Sequence, residues 1–194
     1  MRKKPTILFI GDSICLGYLP LVQQLLSDQI TISGIPVTAG DSSHVLNNID
    51  EWMLKPGIDW IHFNCGLHDL KFFPDTKSYQ QPLEVFESNL RKIVEILQRK
   101  KKFLVWATIT PVIDTRHNII KNFDRYERDV ISYNRRAAII MTAAGILIND
   151  LHGAIIDEDI NTCLMDDGVH LTDHGNRLLS EVISRFIVGG GGVP

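Results

Sequence analysis

Short apolar runs bounded by turn residues alternate along this chain with longer stretches of helical period, and this alternation constrains the fold more than any other feature. It is the pattern of strands joined by crossover helices in a parallel sheet. The predicted strands are 6–10, 36–38, 60–65, 103–108 and 146–148, and helices are expected near 18–28, 43–54, 82–100, 122–144 and 173–187. In the third helix Leu83, Phe86, Leu90, Val94 and Leu97 recur at spacings of three and four, a core-facing stripe. Strands this apolar on both faces belong between two helix layers. The expectation is therefore an α/β fold: a three-layer α/β/α sandwich around a five-stranded, mainly parallel sheet. In such sheets ligands bind beyond the carboxyl ends of the strands, so those ends are where chemistry is sought.

With 194 residues, 44% of them hydrophobic, the chain supports one substantial core and not two. A single domain is expected over 1–188, followed by a flexible Gly-rich tail at 189–194. Twenty Lys and Arg against 23 Asp and Glu leave a net charge of −3 and no basic stripe, which argues against a nucleic-acid partner. The run Arg99-Lys100-Lys101-Lys102 closes a helix pattern, where it suits the negative end of the helix dipole. Cys15, Cys65 and Cys163 are odd in number and lack metal-binding spacing, so the expected compartment is the reducing cytoplasm. The charged start Met1-Arg2-Lys3-Lys4 is followed by an apolar stretch too short for a signal peptide, and no segment approaches the roughly 20 apolar residues that span a bilayer.

The first strand ends in Gly11-Asp12-Ser13, which places a hydroxyl where the chain leaves the sheet. A nucleophilic Ser needs a base, and the base needs a group that fixes its tautomer and stabilises its cation. Asp167-Gly168-Val169-His170 supplies both within four residues, because a short irregular segment can turn the Asp back towards the imidazole three positions on. Acyl transfer also needs donors aimed at the developing oxyanion. Gly40, expected at the end of the second strand, can offer an unobstructed N–H, and the third strand ends in Gly66-Leu67-His68-Asp69. Each block taken singly is also ordinary turn or capping chemistry.

Together, in this order, the four blocks resemble the SGNH (GDSL-type) hydrolase family over 11–175. Gly11-Asp12-Ser13-Ile14 matches the first block with Ile for the usual Leu, and Gly40 in Thr38-Ala39-Gly40-Asp41-Ser42 matches the second. Asp167-Gly168-Val169-His170-Leu171-Thr172, followed by Gly175, matches the last and is the most specific. The resemblance implies a flavodoxin-like sheet, Ser13 as nucleophile, His170 as general base and then acid, and Asp167 as its orienter. It also implies an oxyanion hole that includes the N–H groups of Ser13 and Gly40. Two departures stand out. The third block usually reads Gly-x-Asn-Asp, its Asn being the remaining oxyanion donor, and His68 occupies that place; Thr38 stands where Asn often precedes the second block's Gly. A neutral imidazole still donates one N–H, so His68 is the candidate third donor, with a pH dependence that Asn would lack.

The implied activity is hydrolysis of a small-acyl ester, acetyl on a carbohydrate first, without metal or organic cofactor and with a small-molecule ester as the expected partner. The alternatives are a carbohydrate- or acyl-binding module that kept the fold without the chemistry, transfer of the acyl group to another acceptor, and a lipase or lysophospholipase. His170, His174, Asp166 and Asp167 also admit a metal reading, but no third well-placed ligand is evident. Substrate choice is expected in 70–81 and 109–121, both irregular and both following strands. Phe72, Phe73, Tyr79, Arg116 and His117 are candidate pocket residues there, with Asp12 and Asp69 beside the nucleophile and His68.

Overall fold

The structure, a computed structural model, describes residues 3–35, 37–53 and 56–189. In chain order the elements are β1 (Thr6–Ile10), α1 (Ser13–Leu26), β2 (Thr31–Gly34), α2 (Ser42–Trp52), β3 (Trp60–Phe63), β4 (Phe72–Phe73), β5 (Ser78–Tyr79) and α3 (Leu83–Arg99). They continue with β6 (Phe103–Ala107), α4 (Asp114–His117), α5 (Glu127–Ala143), β7 (Leu147–Asn149), α6 (Leu151–Asp157), α7 (Ile160–Cys163) and α8 (Asp173–Gly189). Five strands form one sheet in the order β2-β1-β3-β6-β7, and every pairing is parallel. β4 and β5 make a separate antiparallel pair.

The apolar strands explain this layering. Ile7 to Ile10 and all four residues of β3 are buried, because both faces of the central strands carry a helix layer. One layer packs α8 against α1, α6 and α7, and the other packs α3 against α2 and α5. The buried stripe of α3, which includes Phe86, Leu90, Val94 and Leu97, faces the core. The chain runs from β1 outward to β2, then returns to place β3 on the other side of β1. That reversal opens a crevice at the carboxyl ends of β1 and β3.

Several expectations are corrected. The second strand is Thr31–Gly34 and not 36–38; it lies at the sheet edge and is partly exposed, so it lacks a two-faced apolar run, while Val37 and Thr38 are exposed and Pro36 lies outside the described residues. The first helix begins at Ser13, five residues before its expected start, because the Asp12 carboxylate caps it by accepting the Ile14 N–H at 3.0 Å. The helix expected over 122–144 begins at Glu127, as α5, since Asp124 exchanges backbone hydrogen bonds with Phe72 at 2.9 and 2.7 Å and holds that stretch extended. The two expected loops carry local order: β4 and β5 lie within 70–81, and α4 within 109–121. Of the expected tail, Gly189 closes α8 and the rest lies outside the described residues. Among the described residues no helix is long and apolar enough to cross a membrane.

Candidate active site

Three loops meet at the carboxyl edge of the sheet. Ser13 follows β1 as the first residue of α1, with Asp12 buried behind it as the cap. Gly40 follows β2 and is drawn to the same place by the Ala39 N–H, which donates to the Gly11 carbonyl at 2.9 Å. Its φ of +66° is a left-handed conformation that favours glycine. His68 follows β3 on the other side of β1. Neither the Ser13 N–H nor the Gly40 N–H has an acceptor among the described residues, so both are available to a bound group.

The segment before α8 brings the fourth contribution. Ser13 Oγ lies 3.1 Å from His170 Nε2, and His170 Nδ1 lies 2.5 Å from Asp167 Oδ2. The other Asp167 oxygen accepts the backbone N–H groups of Val169 at 3.0 Å and His170 at 2.9 Å. These bonds tie the carboxylate to the loop that carries the imidazole and fix the ring's orientation. Burial alone would raise the Asp167 carboxyl, but the side-chain and backbone hydrogen bonds of His170 and the N–H of Val169 outweigh it and hold the group at about 2. Asp167 is therefore an anion across the neutral range, opposite the Nδ1 that needs it.

His68 is half-buried, and its ring has no hydrogen-bond partner among the described residues. Burial, then the charges of Lys71 and Arg125, push its imidazole down to about 4; His170 acts in the same direction. It is thus a neutral donor at physiological pH, and the titration expected of it is displaced to acid.

The other candidates divide. Asp69 is fully buried and both its oxygens accept the Ser42 N–H, at 3.1 and 2.9 Å, so it ties the loop of Gly40 to the loop of His68 and does not face a substrate. Asp12 is likewise buried; burial raises its pKa against the pull of the Ile14 N–H and the Arg125 charge, and its place is behind Ser13. Phe72 pairs with Tyr79 across β4 and β5, with ring centroids 5.2 Å apart, which pins that hairpin. Phe73 packs 6.1 Å from Phe123. Arg116 reaches away to Asn161 Oδ1 at 2.9 Å, and His174 Nε2 faces Glu158 at 3.3 Å, apart from Ser13, His170 and Asp167.

Arg125 carried no local signal, and His117, a candidate pocket residue, has no partner that the sequence identifies. His117 is buried, with its Nδ1 3.3 Å from the Asp167 carbonyl, and Arg125 donates from Nε to the Leu67 carbonyl at 2.9 Å. Their partners lie 50 and 58 residues away in sequence, beyond the reach of any motif.

No protein-family profile matches the chain, and no curated protein does. Solved structures do. A lipase/acylhydrolase from Enterococcus faecalis superposes with a TM-score of 0.80 at 19% identity, over 94% of this chain and 95% of that one. The acetyl xylan esterase AlAXEase gives 0.77 at 18% identity, over 94% and 100%. A GDSL-like lipase from Bacteroides thetaiotaomicron gives 0.74 at 16%, over 96% and 89%. At identities this low the likeness speaks for the fold, and the chain has the three-layer α/β/α fold of these hydrolases.

Proposed function

We propose that the protein is a serine esterase that cleaves a small-acyl ester through an acyl-enzyme on Ser13. The observation that carries this reading is the continuous hydrogen-bonded chain from Ser13 Oγ through His170 to Asp167, set beside two unpartnered N–H groups. Ser13 Oγ attacks the ester carbonyl carbon while its proton passes to His170 Nε2. The carbonyl oxygen becomes an oxyanion that accepts hydrogen bonds from the Ser13 and Gly40 N–H groups and from the His68 imidazole. Asp167 accepts the Nδ1–H of the resulting imidazolium and stabilises its charge. Collapse of the tetrahedral intermediate breaks the bond to the alkoxy oxygen, which leaves as the alcohol with the proton from His170. Water, deprotonated by His170, then attacks acyl-Ser13; the Oγ–acyl bond breaks, His170 returns the proton to Ser13 Oγ, and the acid leaves.

Lipase/acylhydrolases and acetyl xylan esterases among the structural neighbours support an ester substrate, and acetyl on a carbohydrate is the first choice. The test is intact-mass analysis after fluorophosphonate treatment, with one adduct expected on Ser13 and none on Ser13→Ala. A folded sample that neither labels nor exceeds Ser13→Ala on activated esters refutes the reading, and leaves a binding module on the same fold. A p-nitrophenyl series from acetate to decanoate places the acyl length; an optimum at eight or more carbons moves the assignment to a lipase.

A further inference from the structure

Two cations lie over the ring of Phe123. The Lys71 ammonium is 5.0 Å from its ring centroid and the Arg125 guanidinium 5.1 Å. Arg125 is only 5% exposed, yet among the described residues neither it nor Lys71 has a carboxylate within 4.0 Å. By contrast Arg91, Arg99, Lys100, Arg128 and Arg136, all more exposed, are each paired with one. A guanidinium taken out of water without a counter-charge is costly to keep, and here a second cation stands beside it. Its Nε is used by the Leu67 carbonyl and its Nη1 faces His117 Nε2 at 3.5 Å; Nη2 has no partner among the described residues.

The place matters as much as the charge. Leu67 adjoins His68, and His117 turns its Nδ1 to the carbonyl of Asp167, so the guanidinium bridges the loop of the candidate oxyanion donor and the loop of the base. The geometry points to an anion-binding subsite at this junction, where Arg125 and Lys71 receive a carboxylate or phosphate carried by the substrate, an inference that rests on the acyl-hydrolase reading. The planar fork of Arg125 suits either group, and Lys71 adds a point charge. Burial draws the guanidinium down to about 10, which leaves it a cation at neutral pH; burial and then the charge of Arg125 lower Lys71. The carboxylates of Asp12, Asp41, Asp69 and Asp167 act on this pair only from a distance.

The test uses esters that differ in charge. On the acyl side these are 4-nitrophenyl hydrogen succinate and its methyl ester; on the alcohol side, 4-acetoxybenzoate and 4-acetoxyphenyl phosphate against methyl 4-acetoxybenzoate. We expect at least one anionic member to have a kcat/KM tenfold or more above its neutral counterpart. That ratio should fall about tenfold in Lys71→Met and again in Arg125→Lys, which keeps the charge and loses the fork. Which arm responds tells whether the anion lies on the acyl or the alcohol side, and whether carboxylate or phosphate fits. If Arg125 merely holds two loops together, its variant slows both members of a pair alike and the ratio stays put. Calorimetric binding of the same compounds to Ser13→Ala separates the two proposals. Charge-selective binding without turnover in the wild type sinks the hydrolase reading alone, whereas turnover with equal affinity and equal rates for charged and neutral esters overturns the subsite alone.

Discussion

At the scale of single residues, His68 and Asp167 each give a signed expectation. If the His68 N–H completes the oxyanion hole, His68→Ala lowers kcat by about 10²–10³-fold with KM nearly unchanged, because the missing bond forms in the transition state. His68→Asn retains much more, since an amide also donates. Burial holds the imidazole at about 4, so the kcat profiles of wild type and His68→Asn should have the same shape between about pH 6 and 8. Equal rates for wild type, Ala and Asn would remove His68 from the mechanism. Asp167→Asn keeps an oxygen for the Val169 and His170 N–H groups but presents an NH₂ to His170 Nδ1, which forces the proton onto Nε2 and blocks the base. The expected loss in kcat is about 10⁴-fold with little change in melting temperature. The Asp167–His170 contact was legible in the sequence because it is local, three positions apart, whereas His68 was singled out only through the resemblance, as the residue where the third block usually has Asn. Arg125 was not legible, and His117 was legible only as a pocket candidate without its partner, for each bonds a carbonyl far along the chain.

At the scale of elements, the segment 164–171 is what orients the His170 ring. Leu164 bridges Leu171, the Met165 N–H donates to the His170 carbonyl at 2.8 Å, and the Gly168 N–H donates to Met165 at 2.9 Å, which closes the loop on itself. Gly168 has a φ of +68°, and a Cβ there would stand 2.6 Å from the Ile113 carbonyl, whose residue anchors the loop by donating its N–H to Gly168 at 2.8 Å. Gly168→Ala therefore carries both backbone strain and a clash, with an expected cost of about 1–3 kcal/mol. Gly145, with a φ of +66° and nothing within 4 Å of the added Cβ, carries the strain alone. Comparing the two by melting and by kcat isolates the loop: both variants should melt lower, and only Gly168→Ala should also lose kcat. An undiminished kcat in folded Gly168→Ala would mean that the loop does not set the base. The elements themselves were legible where burial is two-sided, as in β1, β3 and β6, and also at the edge strand β7, expected at 146–148, but not everywhere. β2 is a half-exposed edge, and α1 starts at a cap whose sequence also reads as a turn.

At the scale of the whole molecule, pH acts on the core as well as on the site, and His62 is the clearest reporter. It lies on β3, buried in the middle of the sheet, stacked on Phe9 at 4.5 Å, with its Nε2 taking a 3.3 Å bond from Asn149 Nδ2 on β7. A ring that accepts there must be neutral at that nitrogen, and burial pushes its pKa down to about 3. The unfolded chain binds this proton near pH 6.5 and the folded chain does not, so His62 makes stability fall as pH drops from about 6.5 towards 3. His68 acts in the same sense down to about 4. Asp69 acts in the opposite sense, because burial raises it to about 7 and the folded state is then the one that holds the extra proton between about 7 and 3.8. These terms oppose one another in the total, so the bare acid limb of the wild type assigns nothing to His62. The difference between wild type and His62→Gln does, since every other group cancels to first order. Urea unfolding at a series of pH values should give wild type a stability that falls relative to the variant by up to about 1.4 kcal/mol for each unit below about pH 6, the value for one proton. The absolute stability of His62→Gln is immaterial to this slope. A difference that stays flat from pH 6 to 4 would mean that the folded core accepts a charged imidazole and that the neutral tautomer is not what links β3 to β7.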